Sequence, residues 1–238
     1  MKKIWIIKTG STYPELKAQQ GDFEDWILDH MDIDKKDTIV YELAEKNDLP
    51  DGFHTRGIVI TGSHANVTEN KYWMEQFSQW IQAYKSTQIP VLGICFGHQL
   101  LAHAFGGKVD FHPRGKEIGS AHIHINEEGR EDPLLSVLPP IFTGFVTHSQ
   151  TLIELPEKSV KLASNSFEHT HAFRNGKNIW GVQFHPEFNA RITKYYIEQQ
   201  KDDLIAQGLK PEEVYESVTD NDYGKILLRK FKNLYKEK

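Results

Sequence analysis

The stretch "VLGICFGHQLL", residues 91–101, contains Cys95, the only cysteine among 238 residues. The apolar run before Cys95 and the helical spacing after it predict a turn from a strand into a helix, with Gly93 and Gly97 allowing close backbone approach. The amides at a helix N-terminus stabilise negative charge, so a cysteine placed there can act as a nucleophile. The alternative is a small buried core residue, because free cysteine is among the most buried residue types.

A candidate base lies in "GVQFHPEF", residues 181–188. If residues 179–187 run extended, His185 and Glu187 point to the same side of the chain. Glu187 could then orient the imidazole of His185, which would take the proton from Cys95. Because the chain has 12 histidines, a surface histidine beside a glutamate is the alternative.

Two further groups of residues could take part in chemistry. In "VITGSHANV", residues 59–67, the turn at Gly62-Ser63 follows a predicted strand and can offer backbone N–H groups to an oxyanion, although the turn taken alone is more typical of an ordinary loop. Several histidines could contact a metal ion: His64, His98, His103 and His112. Their spacings match no zinc pattern, which favours scattered solvated or core histidines, so the sequence predicts neither a metal nor a cofactor.

The first half of the chain alternates apolar runs with helical patterns. We predict strands over residues 3–8, 38–43, 57–62 and 91–94, and helices over 14–31, 70–85 and 96–105. Such alternation predicts an α/β fold with a mostly parallel open sheet flanked by helices. Ligands bind at the carboxyl ends of such strands, which is where Gly62 and Cys95 fall.

The second half reads differently. Short strands are predicted over residues 121–126, 141–149, 160–165 and 179–184, which form an added small β-rich portion of mixed or antiparallel pairing. From Ala190 onward the pattern is helical, and Pro211 suits a helix start. We therefore predict one domain over residues 1–189 and a helical C-terminal extension over 190–238, packed on the same domain.

Composition excludes several classes of protein. The apolar content of 39% and charged content of 26% are typical of a soluble globular protein. A net charge of −5 gives no case for binding nucleic acid or an anionic membrane. The apolar run in "MKKIWIIKTG" is too short for a signal peptide, and no run reaches membrane-spanning length. A single cysteine excludes an internal disulfide framework and favours a reducing, cytoplasmic location.

Taken together, these stretches resemble a class I glutamine amidotransferase domain of the kind found in GMP synthetase and in stand-alone relatives. "PVLGICFGHQLLAHAFGGKV" (90–109) is similar to the cysteine signature of the family, "GVQFHPEF" to its His-Pro-Glu signature, and "ITGS" takes the place of its oxyanion loop. "KEIGSAHIHI" (116–125) and "THSQTLIELP" (147–156) resemble further family segments. The resemblance is strong over residues 57–188 and weak over 1–56.

The resemblance implies a role for each matching residue. Cys95 would attack the side-chain amide carbon of glutamine and form a glutamyl thioester, with His185 as base and then acid and Glu187 as its orienting partner. The oxyanion would rest on the backbone N–H of Phe96 and on one from the loop of Gly62 and Ser63.

The substrate would be contacted by Gln99, which lies one helical turn after Cys95, and by Ser149 and Gln150, which would read the α-amino and α-carboxylate groups. Gln150 departs from the family, whose members often carry an aspartate there, so the amino-acid end of the substrate could differ from free glutamine. Ser63-His64 departs too, since many members have Gly-Pro.

The resemblance predicts a glutaminase that supplies ammonia to a separate synthase, because the chain has no phosphate-cradling G-x-x-x-x-G-K-[ST] loop. A stand-alone γ-glutamyl hydrolase or peptidase is the first alternative. A non-catalytic binding or regulatory protein on this fold is the second, which the presence of Cys95, His185 and Glu187 disfavours.

Overall fold

The computed structural model describes residues 2–46 and 48–234, which contain eleven strands and ten α-helices. The strands are β1 (Lys3–Lys8), β2 (Thr38–Glu42), β3 (Thr55–Ile60), β4 (Val91–Ile94), β5 (Lys108–Phe111), β6 (Glu117–Ile125), β7 (Ile141–His148), β8 (Gln150–Glu154), β9 (Ser159–Ser164), β10 (Ala172–Asn175) and β11 (Ile179–Val182). The helices are α1 (Pro14–Gln20), α2 (Phe23–Met31), α3 (Leu43–Lys46), α4 (Tyr72–Gln82), α5 (Phe96–Ala104), α6 (Glu127–Arg130), α7 (Ala190–Gln199), α8 (Lys201–Ala206), α9 (Pro211–Ser217) and α10 (Tyr223–Leu234).

Nine strands form the central sheet, in the order β2-β1-β3-β4-β11-β10-β9-β6-β7. The pairs from β2 to β11 are parallel, and those from β11 to β7 are antiparallel. The apolar residues of β1, β3 and β4 are buried because helices cover both faces of the parallel part. The predicted open α/β sheet is confirmed, and the β-rich portion extends this same sheet. Strands β5 and β8 form a separate two-stranded sheet.

Local sequence explains where the elements differ from their predicted bounds. The single helix predicted over residues 14–31 is two helices, because Gly21 adopts a φ of 85° that ends α1. Asp22 then caps α2 in a capping box with Asp25. Three short strands, β5, β8 and β10, were not predicted. Strand β11 ends at Val182, two residues before the predicted end, so the condition that residues 179–187 run extended is not met.

The C-terminal helices pack on the rest of the chain. On α10, Leu227, Leu228 and Phe231 are buried in the same hydrophobic cluster as Ile4 and other residues of the central sheet. The start of α10 also lies directly against the backbone that follows His185: a Cβ atom at Gly224 would come within 2.2 Å of the Pro186 carbonyl oxygen. The domain boundary at residue 190 stays a prediction. Within residues 2–46 and 48–234, no helix has both the length and the apolar content needed to cross a membrane.

Candidate active site

Cys95 lies on a sharp turn between β4 and α5. Its φ of 51° and ψ of −104° are a conformation that residues with a side chain rarely adopt. Two glycines permit this turn. A Cβ at Gly93 would lie 2.4 Å from the carbonyl oxygen of Gly97, and a Cβ at Gly97 would lie 2.6 Å from that of Ile60. The side chain of Cys95 therefore stands at the carboxyl edge of the sheet and at the N-terminus of α5, as the sequence predicts.

His185 and Glu187 lie in a turn beyond β11. His185 Nδ1 is 2.8 Å from Glu187 Oε1, and both side chains are buried. The backbone N–H of His185 donates to the carbonyl of Phe145 at 2.7 Å, and its ring stacks on Phe188 with centroids 4.0 Å apart. The pairing thus comes from a turn held by these contacts, and not from the alternation of an extended strand.

The charge state of His185 follows from its neighbours. Burial would lower the pKa of His185, but the Glu187 carboxylate and Cys95 outweigh that cost and raise the pKa to about 10. Nε2 of His185 is buried and has no hydrogen-bond partner among the described residues. At neutral pH these neighbours therefore favour the charged, doubly protonated ring, whose Nε2 is the nitrogen placed to exchange its proton with a reacting group.

The loop of Gly62 and Ser63 lies beside His185. A Cβ at Gly62 would come within 3.1 Å of His185 Cε1, so only glycine fits there without a shift. The carbonyl of Gly62 accepts hydrogen bonds from the hydroxyls of Thr9 and Thr61, at 3.1 and 3.0 Å. A trans peptide points its C=O and N–H in opposite directions. The Ser63 N–H therefore points away from these threonines. Phe96 begins α5, where a backbone N–H has no partner inside the helix.

A cavity of about 280 Å³ opens over these residues. It is lined by every side chain predicted to act in the site except Glu187, which lies behind His185; Gly62 also stands outside the lining. Gln99 lies in its floor, with Nε2 donating to the backbone carbonyl of Gln150 and to Gln183 Oε1, both at 2.9 Å. These two bonds occupy the amide nitrogen of Gln99, so its carbonyl oxygen is the atom left for a ligand.

Both polar atoms of the Gln150 side chain are bonded to other residues of the protein, whereas a side chain that binds substrate needs a polar atom left free. Its Oε1 accepts the backbone N–H of Val67 at 2.9 Å, and its Nε2 donates to Thr68 Oγ1 at 2.7 Å. The amide therefore fastens β8 to the short 3-10 turn at Val67–Glu69. Ser149 lines the cavity and is half-buried.

A buried ionic group supports the segment that carries Ser149 and Gln150. Nδ1 of His148 donates to the Gln150 carbonyl at 3.0 Å, and Nε2 lies 2.9 Å from Glu117 Oε2. The same carboxylate oxygen is 3.4 Å from His171 Nε2. Burial opposes charge on His148, but Glu117 outweighs it and raises the pKa of the ring. Burial would likewise raise the pKa of Glu117, yet the two histidines hold it far below its ordinary range.

Sequence reasoning missed part of the cavity wall. Lys116 comes from the start of the "KEIG" segment, and three residues come from the C-terminal helices: Tyr196 on α7, Gln200 between α7 and α8, and Asp203 on α8. Tyr196 reaches deep into the molecule, because its hydroxyl lies 2.8 Å from Thr12 Oγ1. The "KEIG" segment was noted as a family feature, but no motif marks the helical residues. In the described part of the chain, no group of three or more His, Cys, Asp or Glu side chains could hold a metal ion.

Known proteins resemble this chain in sequence and in fold. The pattern of the "Glutamine amidotransferase class-I" family matches residues 29–202. The chain is 36% identical over 149 residues to GMP synthase [glutamine-hydrolyzing] of Porphyromonas gingivalis, covering 61% of this chain and 28% of that protein. It is 32% identical over 153 residues to gamma-glutamyl peptidase 4 of Arabidopsis thaliana, covering 63% and 60%. The match therefore spans little more than a quarter of the GMP synthase.

The crystal structure of a glutamine amidotransferase from Thermotoga maritima has a similar fold. It superimposes with a TM-score of 0.74, covers 99% of both chains and shares 23% sequence identity. At this identity the likeness concerns the fold alone, and it extends over the C-terminal helices as well as the sheet.

Proposed function

This chain belongs to the class I glutamine amidotransferase family, and from that premise we propose that it hydrolyses the side-chain amide of glutamine through a thioester on Cys95. The observation that carries the proposal is the meeting of three features at one cavity. These are the strained turn at Cys95, the buried pair of His185 and Glu187, and the loop at Ser63.

In the first half of the reaction, the sulfur of Cys95 attacks the amide carbon after its proton has passed to His185. The C–S bond forms, and negative charge collects on the former carbonyl oxygen. The backbone N–H groups of Phe96 and Ser63 donate hydrogen bonds to this oxyanion, and the Ser63 N–H is free to do so because the carbonyl of Gly62 is turned toward Thr9. His185 then protonates the leaving nitrogen, the C–N bond breaks, and ammonia departs.

In the second half, His185 has given up its proton and acts as a base toward water. The hydroxide attacks the thioester carbon, the C–S bond breaks, and glutamate is released with the sulfur returned to its starting state. Glu187 holds Nδ1 protonated throughout, so that Nε2 is the nitrogen that exchanges protons.

We assign the ammonia to a separate synthase as acceptor. The relatives that suggest this are GMP synthases, of which this chain matches a small part. We also propose a cytoplasmic location, because a thiol nucleophile must stay reduced and the cytoplasm is a reducing compartment.

A second candidate is the hydrolysis of γ-glutamyl amides with larger leaving groups, as in a γ-glutamyl peptidase. Three rings form an aromatic rim on the cavity: Tyr13 lies 4.7 Å from His64 and 5.1 Å from Tyr196, measured between ring centroids. Such a rim can pack against an apolar leaving group. The similarity to gamma-glutamyl peptidase 4 supports this candidate.

The test is to incubate the pure protein with glutamine and with several γ-glutamyl amides, and to measure released glutamate, ammonia and amine. Cys95→Ser should abolish turnover while circular dichroism stays unchanged, because a serine hydroxyl has no anionic fraction at neutral pH. His185→Asn should do the same, whereas His122→Asn, at an exposed position on β6, should have full activity. Near-normal turnover by Cys95→Ser would overturn the proposal. Preference for a larger amide over glutamine would favour the second candidate.

A further inference from the structure

A buried group of ionisable side chains beside the cavity takes no part in the proposed reaction. Its members are Glu117 at the start of β6, His148 at the end of β7, and Glu168 and His171 between β9 and β10. The His148 side chain is 1% exposed and that of Glu117 is 12% exposed. A buried ionic group contributes little net stability compared with apolar residues of the same volume. Its presence beside Cys95 therefore points to a role in the site.

The hydrogen bonds of His148 require the charged form of its ring. Nδ1 lies 3.0 Å from the carbonyl oxygen of Gln150, and Nε2 lies 2.9 Å from Glu117 Oε2. A carbonyl and an ionised carboxylate only accept hydrogen bonds, so both ring nitrogens must carry a proton. Burial opposes this charge, but Glu117 and Glu168 outweigh the burial and raise the pKa of His148. Geometry and electrostatics thus both favour a buried imidazolium.

Glu117 is held in the ionised form that this arrangement needs. Asn165 Nδ2 donates to Glu117 Oε1 at 2.7 Å, and His171 Nε2 lies 3.4 Å from Glu117 Oε2. Burial would raise the pKa of Glu117, but His148 and His171 hold it far below its ordinary range. The second proton of His148 therefore depends on the negative charge of Glu117, and a glutamine at this position would remove that charge with little change in shape.

The charged ring lies close to the nucleophile. His148 lines the same cavity as Cys95, and the carbonyl oxygen of the preceding residue, Thr147, is 3.8 Å from the Cys95 sulfur. That carbonyl can accept the thiol proton in a hydrogen bond, but it repels negative charge on the sulfur. Negative charge on Cys95 contributes to the raised pKa of His148. Because this interaction is mutual, the charged ring stabilises a thiolate on Cys95 to the same extent.

The same ring also fixes the floor of the cavity. The Gln150 carbonyl that accepts the Nδ1–H of His148 also accepts a hydrogen bond from Gln99 Nε2 at 2.9 Å. Gln99 Nε2 donates a second bond to Gln183 Oε1, also at 2.9 Å. These bonds determine which end of the Gln99 amide is left for a ligand, so the position of the Gln150 carbonyl matters for the shape and polarity of the site.

We propose that Glu117 and His148 are positioning residues of the active site: Glu117 keeps the His148 ring charged, and this buried charge stabilises the thiolate of Cys95 while the ring holds the Gln150 carbonyl in place. The inference rests on the proposed function for the role of Cys95 as nucleophile. His148 stays protonated through both halves of the reaction and exchanges no proton. The site then contains two histidines with different tasks, since His185 transfers protons and His148 supplies a fixed charge.

The test measures the reactivity of the Cys95 thiol without substrate. Because Cys95 is the only cysteine in the chain, the rate of alkylation by iodoacetamide at each pH reports this thiol alone. In Glu117→Gln the alkylation rate at pH 7 should fall roughly three- to tenfold, and its rise should move to higher pH, because the thiolate loses a nearby positive charge. His148→Asn, whose amide can still donate to the Gln150 carbonyl, should show a similar fall.

Two comparisons separate charge from stability. Ile123→Val removes a buried methyl group on the same strand as Glu117, so it should lower the melting temperature and leave the pH dependence of alkylation unchanged. Glu117→Gln should lower kcat for glutamine about tenfold with little change in KM, because the interaction strengthens only as charge develops on the sulfur. Adding His148→Asn should cause no further loss, because the two residues act as one unit. A folded Glu117→Gln that is alkylated like the wild type would show that the inference is wrong.

A spectroscopic measurement on the wild type keeps the inference testable if the variants do not fold. The nitrogen chemical shifts of His148 at neutral pH should be those of a doubly protonated ring, and a neutral ring would overturn the inference.

The inference and the proposed function can fail separately, because alkylation needs no turnover. Slower alkylation of Glu117→Gln supports the inference even if the wild type does not hydrolyse glutamine, in which case only the proposed function fails. An unchanged alkylation profile in Glu117→Gln and His148→Asn overturns the inference even where hydrolysis is observed.

Discussion

Replacing Glu187 by glutamine tests the role of the buried carboxylate with little change in shape. Glu187 Oε1 lies 2.8 Å from His185 Nδ1, and Glu187 is fully shielded from solvent. The pKa of His185 stands at about 10 against an ordinary 6.5. At about 1.4 kcal/mol for each tenfold, this difference corresponds to at most about 5 kcal/mol of preference for the charged ring. This is a net figure, because burial opposes the charged ring; the favourable contributions of Glu187 and Cys95 together exceed it by the cost of burial.

On the proposed mechanism, the expected loss in kcat/KM for Glu187→Gln is on the order of 10²- to 10³-fold, because the variant removes the carboxylate that stabilises the imidazolium assigned to protonate the leaving nitrogen. The same reasoning gives the direction in which the pH dependence of kcat/KM should shift. His185 can act as an acid only while it is protonated, so the wild type should stay active until the pH comes close to 10. In Glu187→Gln, burial dominates and the alkaline limb should move down by several pH units.

The assay is the pH dependence of kcat/KM for ammonia release by the wild type and Glu187→Gln, with Glu198→Gln on α7 as the matched control. Because Cys95 and His185 titrate as a coupled pair, the apparent pKa of the alkaline limb is assigned to the pair, and the measurement compares its position between variants. Thermal melts verify that Glu187→Gln is folded. A folded Glu187→Gln with wild-type kcat/KM and an unmoved alkaline limb would refute the reasoning.

Three further predictions concern the surroundings of the site. Gln150→Asp should weaken glutamine turnover and lower the melting temperature, because the shorter side chain cannot keep the bond to the Val67 N–H; improved KM would show that position 150 reads the substrate ammonium after all. Burial lowers the pKa of His98 to about 3, so its contribution to stability is intact above pH 6.5 and is lost as pH falls toward 3. Between pH 7 and 4.5, the free energy of unfolding measured by urea titration should therefore fall by about 2–3 kcal/mol less in His98→Asn than in the wild type. An equal fall in the two proteins would contradict this. Lys8→Met should destabilise the protein by on the order of 3 kcal/mol in urea, because Lys8 is buried and pairs with Asp22 at 2.9 Å; an unchanged midpoint would show that the pair contributes nothing net.

Most of the parallel sheet could be predicted because burial on both faces leaves a local signal. Strands β1, β3 and β4 are short apolar runs that end at turn residues, and their positions follow from the sequence within two residues. Strands β5, β8 and β10 lack that signal. β5, for instance, is "KVDF", of which only Val109 is buried, and it pairs with β8, some forty residues away along the chain.

The candidate site divides in the same way. Cys95 could be predicted from the glycines around it, because the tight turn leaves no room for larger residues at those positions. The sequence motif pointed to the pair of His185 and Glu187, but the sequence argument for their contact assumed an extended strand. In the structure a turn brings the two side chains together. Asp203 could not be found, because one exposed aspartate on a helix becomes part of a site only when that helix packs over the cavity.

The C-terminal helices contribute both to the hydrophobic core and to the wall of the cavity, through different residues. Their apolar residues, such as Phe231, complete the core, and the backbone at Gly224 packs against Pro186, within the turn that holds His185 and Glu187. Their polar residues, Gln200 and Asp203, form the cavity wall. Truncation before α7 would therefore remove both the packing against the turn of His185 and Glu187 and part of the cavity wall. For that reason the contribution of Gln200 and Asp203 has to be tested by point substitution and not by deletion of the extension.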